Sequence, residues 1–117
     1  MDGETDNNDK TAIWTAIRNG DVEVVRLLID AGALINQAMN NGVTPLYITS
    51  QQGHVEVVRL LIDAGALVNQ AVKHGMTPLY MASQNGHVEI VRLLIDAGAM
   101  VKIDTLMQYT QKKPIYS

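Results

Sequence analysis

The apolar positions fall in dense blocks broken by a regular polar beat. Over residues 55–64, Val55, Val57, Val58, Leu60, Leu61 and Ile62 leave Glu56, Arg59 and Asp63 as the polar positions. Those three are spaced three and four apart, so on a helix they share one face and can pair with one another. The pattern predicts a helix that is wet along one stripe and buried elsewhere, with Leu60 and Leu61 fully buried. The same stripe recurs as Glu23, Arg26 and Asp30 and as Glu89, Arg92 and Asp96. Ahead of it, Thr44-Pro45 reads as a helix start: threonine caps free N–H groups, and proline suits the first helical position, where its missing N–H is not needed. A short helix over residues 45–52 follows, and Gly53 ends it. Residues 66–76, with their Asn, Gly and alternating apolar residues, suit an extended, turning connection.

These elements repeat. Ala-Gly-Ala occurs at 31–33, 64–66 and 97–99, and Gly20, Gly53 and Gly86 keep the same 33-residue spacing. The chain divides into units at residues 6–38, 39–71 and 72–104, and the second and third agree at 21 of 33 positions, where chance would give roughly two. A period of this size marks a solenoid or related array. The first unit is more diverged, with Thr11-Ala12-Ile13-Trp14 where the others have Thr-Pro-Leu-Tyr, as expected of an end unit whose outer face meets water. Helices of eight to ten residues are marginal alone, so the stack is what folds.

The repeat resembles the ankyrin repeat family. Thr44-Pro45-Leu46-Tyr47 and Thr77-Pro78-Leu79-Tyr80 are similar to its Thr-Pro-Leu-His signature, with tyrosine for histidine. Gly53-His54-Val55-Glu56-Val57-Val58 and Gly86-His87-Val88-Glu89-Ile90-Val91 are similar to its Gly-His-Leu-Glu-Val-Val segment, and Gly65-Ala66-Leu67-Val68-Asn69 to its Gly-Ala-Asp-Val-Asn. The resemblance spans residue 6 to about residue 110, and implies an all-α solenoid: three helix-turn-helix units with β-turn fingers, an inner and an outer helix layer, and a partial fourth unit at residues 105–117, all in one domain over residues 1–117. It also implies a function, binding other proteins through fingers and inner helices. The chain departs from the pattern at Ala12 and Asp21 in the first unit, and at Leu34, Leu67 and Met100, which replace the finger aspartate. Met39 and Val72 also stand where the family often has aspartate, and the tail after Thr110 matches neither helix.

Composition narrows the chemistry. The 117 residues carry a net charge of −3 and no cysteine, which excludes disulfides, thiol catalysis and cysteine-ligated metals. Mild acidity gives no reason to bind nucleic acid. No apolar run approaches the ~20 residues of a membrane span, and the acidic start at Asp2, Glu4, Asp6 and Asp9 is unlike a signal peptide. The expectation is an intracellular, cytoplasmic or nuclear, protein that is not secreted. His54-Val55-Glu56 and His87-Val88-Glu89 spell the His-x-Glu of zinc deaminases, but that chemistry needs a Pro-Cys-x-x-Cys. Both histidines read as capping and packing residues, because stacked helices ~8–10 Å apart do not bring them onto one zinc. No phosphate loop or serine-elbow motif occurs, and Ser50 and Ser83 read as small packing residues. No enzyme, metal or cofactor is expected. Tyr47, Tyr80 and Trp14 form a half-buried aromatic ladder along the inner layer.

Positions that change between units mark candidate surface. They cluster at Met39/Val72, Asn40/Lys73, Asn41/His74 and Val43/Met76 on one finger, with a smaller set at Ile48/Met81, Thr49/Ala82 and Gln52/Asn85 on the first helix. The candidate partner-binding patch is therefore Asn7, Asn8, Lys10, Arg18 and Asn19 in the first unit. In the second it is Asn40, Asn41, Val43, Gln51 and Gln52, and in the third Lys73, His74, Met76, Gln84 and Asn85. It is rich in amides, with Val43 and Met76 as apolar anchors. Leu34, Leu67 and Met100 have two readings. They pack against the next finger in a monomer, or they form an exposed stripe through which the chain self-associates as a scaffold. The near-identity of the units equally fits a designed or selected repeat binder. In the tail, Leu106, Tyr109 and Ile115 are candidates to cover the open face of the last helix.

Overall fold

The computed structural model describes residues 12–101. Among them are six helices: α1 over residues 12–19, α2 (Val22–Asp30), α3 (Pro45–Gln52), α4 (Val55–Asp63), α5 (Pro78–Gln84) and α6 (Val88–Asp96). A 3-10 turn at Lys73–Gly75 precedes α5. The boundaries follow local chemistry. The Thr44 hydroxyl accepts from Tyr47 N at 3.1 Å and Thr77 from Tyr80 N at 3.2 Å, each with proline in the first helical turn. These bonds satisfy N–H groups that a helix start leaves without partners. At the other end of α3, Gly53 adopts φ +86°, the left-handed stop that costs glycine nothing.

The helices stack in two layers. α3 packs on α5 in the inner layer, α2, α4 and α6 follow one another in the outer layer, and in the second and third units the two helices pack on each other. The core runs between layers and through the joints: Ile13, Ile17, Leu46, Val57, Val58, Leu61, Ile90 and Leu94 have essentially no exposed surface. Leu61 meets the sequence expectation and Leu60 does not. It is half-buried, packed against the rim of the core and not enclosed by it. Glu56 and Arg59 face water and pair at 3.5 Å, as Glu23 and Arg26 do at 3.9 Å.

The joints between units also carry polar bonds. His54 Nε2 lies 3.1 Å from the carbonyl of Arg18, and His87 Nε2 lies 3.0 Å from that of Gln51. A carbonyl only accepts, so in each case Nε2 bears the proton. Both carbonyls belong to the last turn of an inner helix, where no partner exists within the helix. The histidines thus do not cap their own helices, which receive no side-chain bond from them; they cap the helix of the preceding unit. On the outer side, Asn36 Oδ1 accepts from Leu67 N at 2.9 Å and Asn69 Oδ1 from Met100 N at 2.8 Å, while Asn69 Nδ2 donates to the Gly98 carbonyl at 3.3 Å. Each asparagine ties the connection leaving one outer helix to that leaving the next.

Candidate functional site

Two closed turns project ahead of the inner helices α3 and α5. In the first, Met39 N donates to Val43 O at 2.9 Å and Gly42 N to Met39 O at 2.8 Å, and the Asn41 carboxamide accepts from Val43 N at 3.1 Å. In the second, Val72 N donates to Met76 O at 2.7 Å and Met76 N to Lys73 O at 3.4 Å. The second turn is built differently. His74 sits at φ +62°, ψ +25° and Gly75 at φ +72°, two left-handed residues in succession. For histidine that conformation costs about 1–2 kcal/mol. The two turns are neighbours: a Cβ built on Gly42 would stand 3.8 Å from the Val72 Cα.

The candidate residues fall into three groups. Arg18, Asn19, Asn40, Asn41, Gln52, Lys73, His74, Gln84 and Asn85 are exposed. Some of these are held in place: Arg18 lies over the buried Trp14 ring, 5.9 Å from its centroid, within cation–π range, and Asn85 Nδ2 donates to Gln51 O at 3.0 Å. Gln51, Val43 and Met76 are half-buried, and Val43 packs against the core, so Val43 serves the fold more than it offers an anchor. Asn7, Asn8 and Lys10, like the tail positions Leu106, Tyr109 and Ile115, lie outside the described residues.

Variation between units is a less pure mark of surface than the sequence suggests. Thr49 and Ala82 are fully buried and Met81 nearly so. The Thr49 hydroxyl turns back on its own helix, to Pro45 O at 2.9 Å and Leu46 O at 3.2 Å, so threonine and alanine are interchangeable small residues there. The aromatic ladder is uneven as well. Trp14 and Tyr47 are buried under the following unit, whereas Tyr80 is exposed, and Ser83, read as a packing residue, is exposed beside it. Burial, with a smaller contribution from nearby Tyr80, raises the Tyr47 hydroxyl pKa above its usual value. Leu34, Leu67 and Met100 are not packed away against the next finger: all three are well exposed. The asparagine bonds hold the backbone of Leu67 beside Asn36 and that of Met100 beside Asn69, so the three side chains stand as a column, one per unit.

Residues 1–72 and 34–105 match the family model for ankyrin repeats, in three copies. The chain belongs to the ankyrin repeat family. Ankyrin repeats are generally non-enzymatic modules of protein–protein interaction, and the layered helix pairs and projecting turns are the framework on which they work. No curated protein matches the chain in sequence. Among the described residues no cluster of three or more His, Asp or Glu is placed to hold a metal ion, and no helix there is long and apolar enough to cross a membrane.

Proposed function

We propose that this ankyrin stack binds a protein partner along its projecting turns and the exposed edges of its inner helices, through Arg18, Asn19, Asn40, Asn41, Gln52, Lys73, His74 and Gln84. One observation carries the reading: the turns differ between the second and third units at exposed positions, Asn40 against Lys73 and Asn41 against His74, joined by Gln52 against Asn85 at the end of the inner helix and Leu67 against Met100 in the column. The exposed outer stripe repeats unchanged, as Glu56, Arg59 and Asp63 and as Glu89, Arg92 and Asp96. A turn that holds histidine in a left-handed conformation spends stability on presenting that side chain, which fits a contact residue better than a spacer. Amides make adaptable hydrogen bonds, and the column of Leu34, Leu67 and Met100 supplies the apolar contact that the turns lack.

The test is affinity capture followed by paired variants. Lys73→Glu with His74→Asn changes the turn while keeping a residue that tolerates left-handed backbone; binding falls about tenfold or more and the melting temperature is unchanged. Glu56→Ala with Arg59→Ala removes an exposed pair worth about 0–1 kcal/mol and keeps the partner. Loss of binding in the outer variant alone would overturn the assignment. The exposed column also favours a second reading, a scaffold that self-associates, and Leu67→Asp separates the two. If it abolishes self-association and leaves capture intact, the column serves the scaffold.

A further inference from the structure

Charge is sorted between the two sides of the stack. Among the described residues every carboxylate belongs to an outer helix or its cap: Asp21, Glu23 and Asp30 at α2, Glu56 and Asp63 on α4, Glu89 and Asp96 on α6. On each of these helices the carboxylates outnumber the single arginine. The described turns and inner helices hold no carboxylate. Their cations are Arg18 and Lys73, both exposed, and the exposed imidazole of His74 follows Lys73 in the same turn. Among the described residues neither cation is neutralised by an ion pair; the pairs there are Arg26–Glu23 and Arg59–Glu56, both on outer helices. Arg18 lies instead over the Trp14 ring, which positions its charge without cancelling it.

The exposure of Lys73 and His74 does not depend on what adjoins the third unit. Asn40 and Asn41 hold the same places in the second unit, with the third unit's turn beside them, and are exposed all the same.

We propose, building on the partner-binding reading of this surface, that the partner's contact segment is acidic: an extended stretch of protein chain whose carboxylates meet Lys73 and His74 at one end and Arg18 at the other. The first and third units lie two stacking steps apart, about 16–20 Å, so a segment that reaches both is at least about six residues long when extended. On the way it crosses Asn40, Asn41 and Gln52, whose amides both donate and accept and so favour neither charge. The outer carboxylates repel the same segment, and the field of the whole chain turns it toward the inner side. A nucleic acid fits less well. Its phosphates follow one another closely, and they would meet described cations at two separate places only, on a chain of net charge −3.

Selection of random displayed peptides, about a dozen residues long, against the full chain tests this. The recovered peptides are enriched in Asp and Glu over the starting pool. A synthetic representative, followed by fluorescence anisotropy, binds about tenfold more tightly than its Asn/Gln counterpart, and salt narrows the difference. Arg18→Gln and Lys73→Asn install the residues that the second unit already holds at those places, Gln51 and Asn40, so the fold tolerates them by circular dichroism. Each weakens the acidic peptide about two- to fivefold, whereas Glu56→Ala with Arg59→Ala does not. A selection that recovers nothing, or peptides that are neutral, apolar or basic, would overturn the proposal. So would a single-stranded oligonucleotide that binds as tightly at the same salt. Non-acidic peptides lost in the Lys73→Glu/His74→Asn variant would remove the charge assignment and leave partner binding at the turns standing. Acidic peptides indifferent to that variant and to Arg18→Gln would remove both.

Discussion

Gly53 and Gly86 occupy the same place in consecutive units, and alanine at each isolates the histidine joint. Both are left-handed, at φ +86° and +75°, so alanine incurs about 1–2 kcal/mol of backbone strain at either site, offset by about 0.4–1 kcal/mol from a stiffer unfolded chain. Gly86→Ala therefore costs about 1 kcal/mol, since its new Cβ meets nothing within 4 Å among the described residues. At Gly53 the new Cβ would stand 2.7 Å from His87 Cε1 and 3.0 Å from Nδ1, so the ring must leave. Its hydrogen bond to Gln51 O goes with it, about 0.5–1.5 kcal/mol, together with a displaced rotamer at about the same cost. Gly53→Ala should thus lose about 2–4 kcal/mol, at least 1 kcal/mol more than Gly86→Ala. Urea unfolding followed by circular dichroism measures both, with an unchanged denaturant slope showing that no unit unfolds separately. In a His87→Ala background the cost of Gly53→Ala should fall to that of Gly86→Ala. Equal losses at the two glycines, or a gap that survives removal of His87, would refute the joint as described.

Leu61→Ala should cost about 2–5 kcal/mol, a large share of the total stability of a small domain; a chemical melt showing less than about 1 kcal/mol would contradict its burial. The raised Tyr47 pKa means that the folded chain holds that proton more tightly than the unfolded one. Stability therefore falls with rising pH above about 10, until the folded hydroxyl itself ionises. Tyr47→Phe should flatten that alkaline limb in denaturant midpoints and leave neutral pH little changed. Asn69→Ala should lose about 1 kcal/mol and speed amide exchange at Met100, whereas Asn36→Ala, which removes the bond to Leu67 N alone, should cost less.

The helices were legible because their signals are local. Thr44-Pro45 and Gly53 carry start and stop chemistry, and the Glu56, Arg59 and Asp63 stripe fixes which side of α4 is wet. Leu60 escaped because periodicity places a residue on a face but not at the rim of a layer. The histidines were singled out as capping and packing residues, but the helix that each caps was not legible, because their acceptors lie 36 residues back and only stacking brings them near. A signal was present: each His follows a glycine 34 positions earlier, Gly20 before His54 and Gly53 before His87, as a ring packed on a backbone without a Cβ requires. Asn36 and Asn69, a polar residue recurring once per unit in an extended segment, were the equivalent sign for the outer bonds. Of the candidate site, the turn residues stood out because they differ between units. That criterion also admitted Thr49 and Met81, since buried positions drift too when volume and hydrogen bonding allow. The exposure of Leu34, Leu67 and Met100 depends on packing between units and could not be read from one.

The bonds that register one unit on the next have a shared form: a side chain of one unit meets the main chain of its neighbour. His54 meets the carbonyl of an arginine and His87 that of a glutamine. The two acceptors carry different side-chain heads, a guanidinium and a carboxamide, yet present the same main-chain group. Duplicating a unit therefore copies its half of the joint without any change in the unit that receives it. The side chains at positions 18 and 51 are left at liberty to diverge, because the joint does not read them. Arrays of this design lengthen or shorten by whole units in a single genetic event, and each new copy starts with a sound fold and an unspecialised surface.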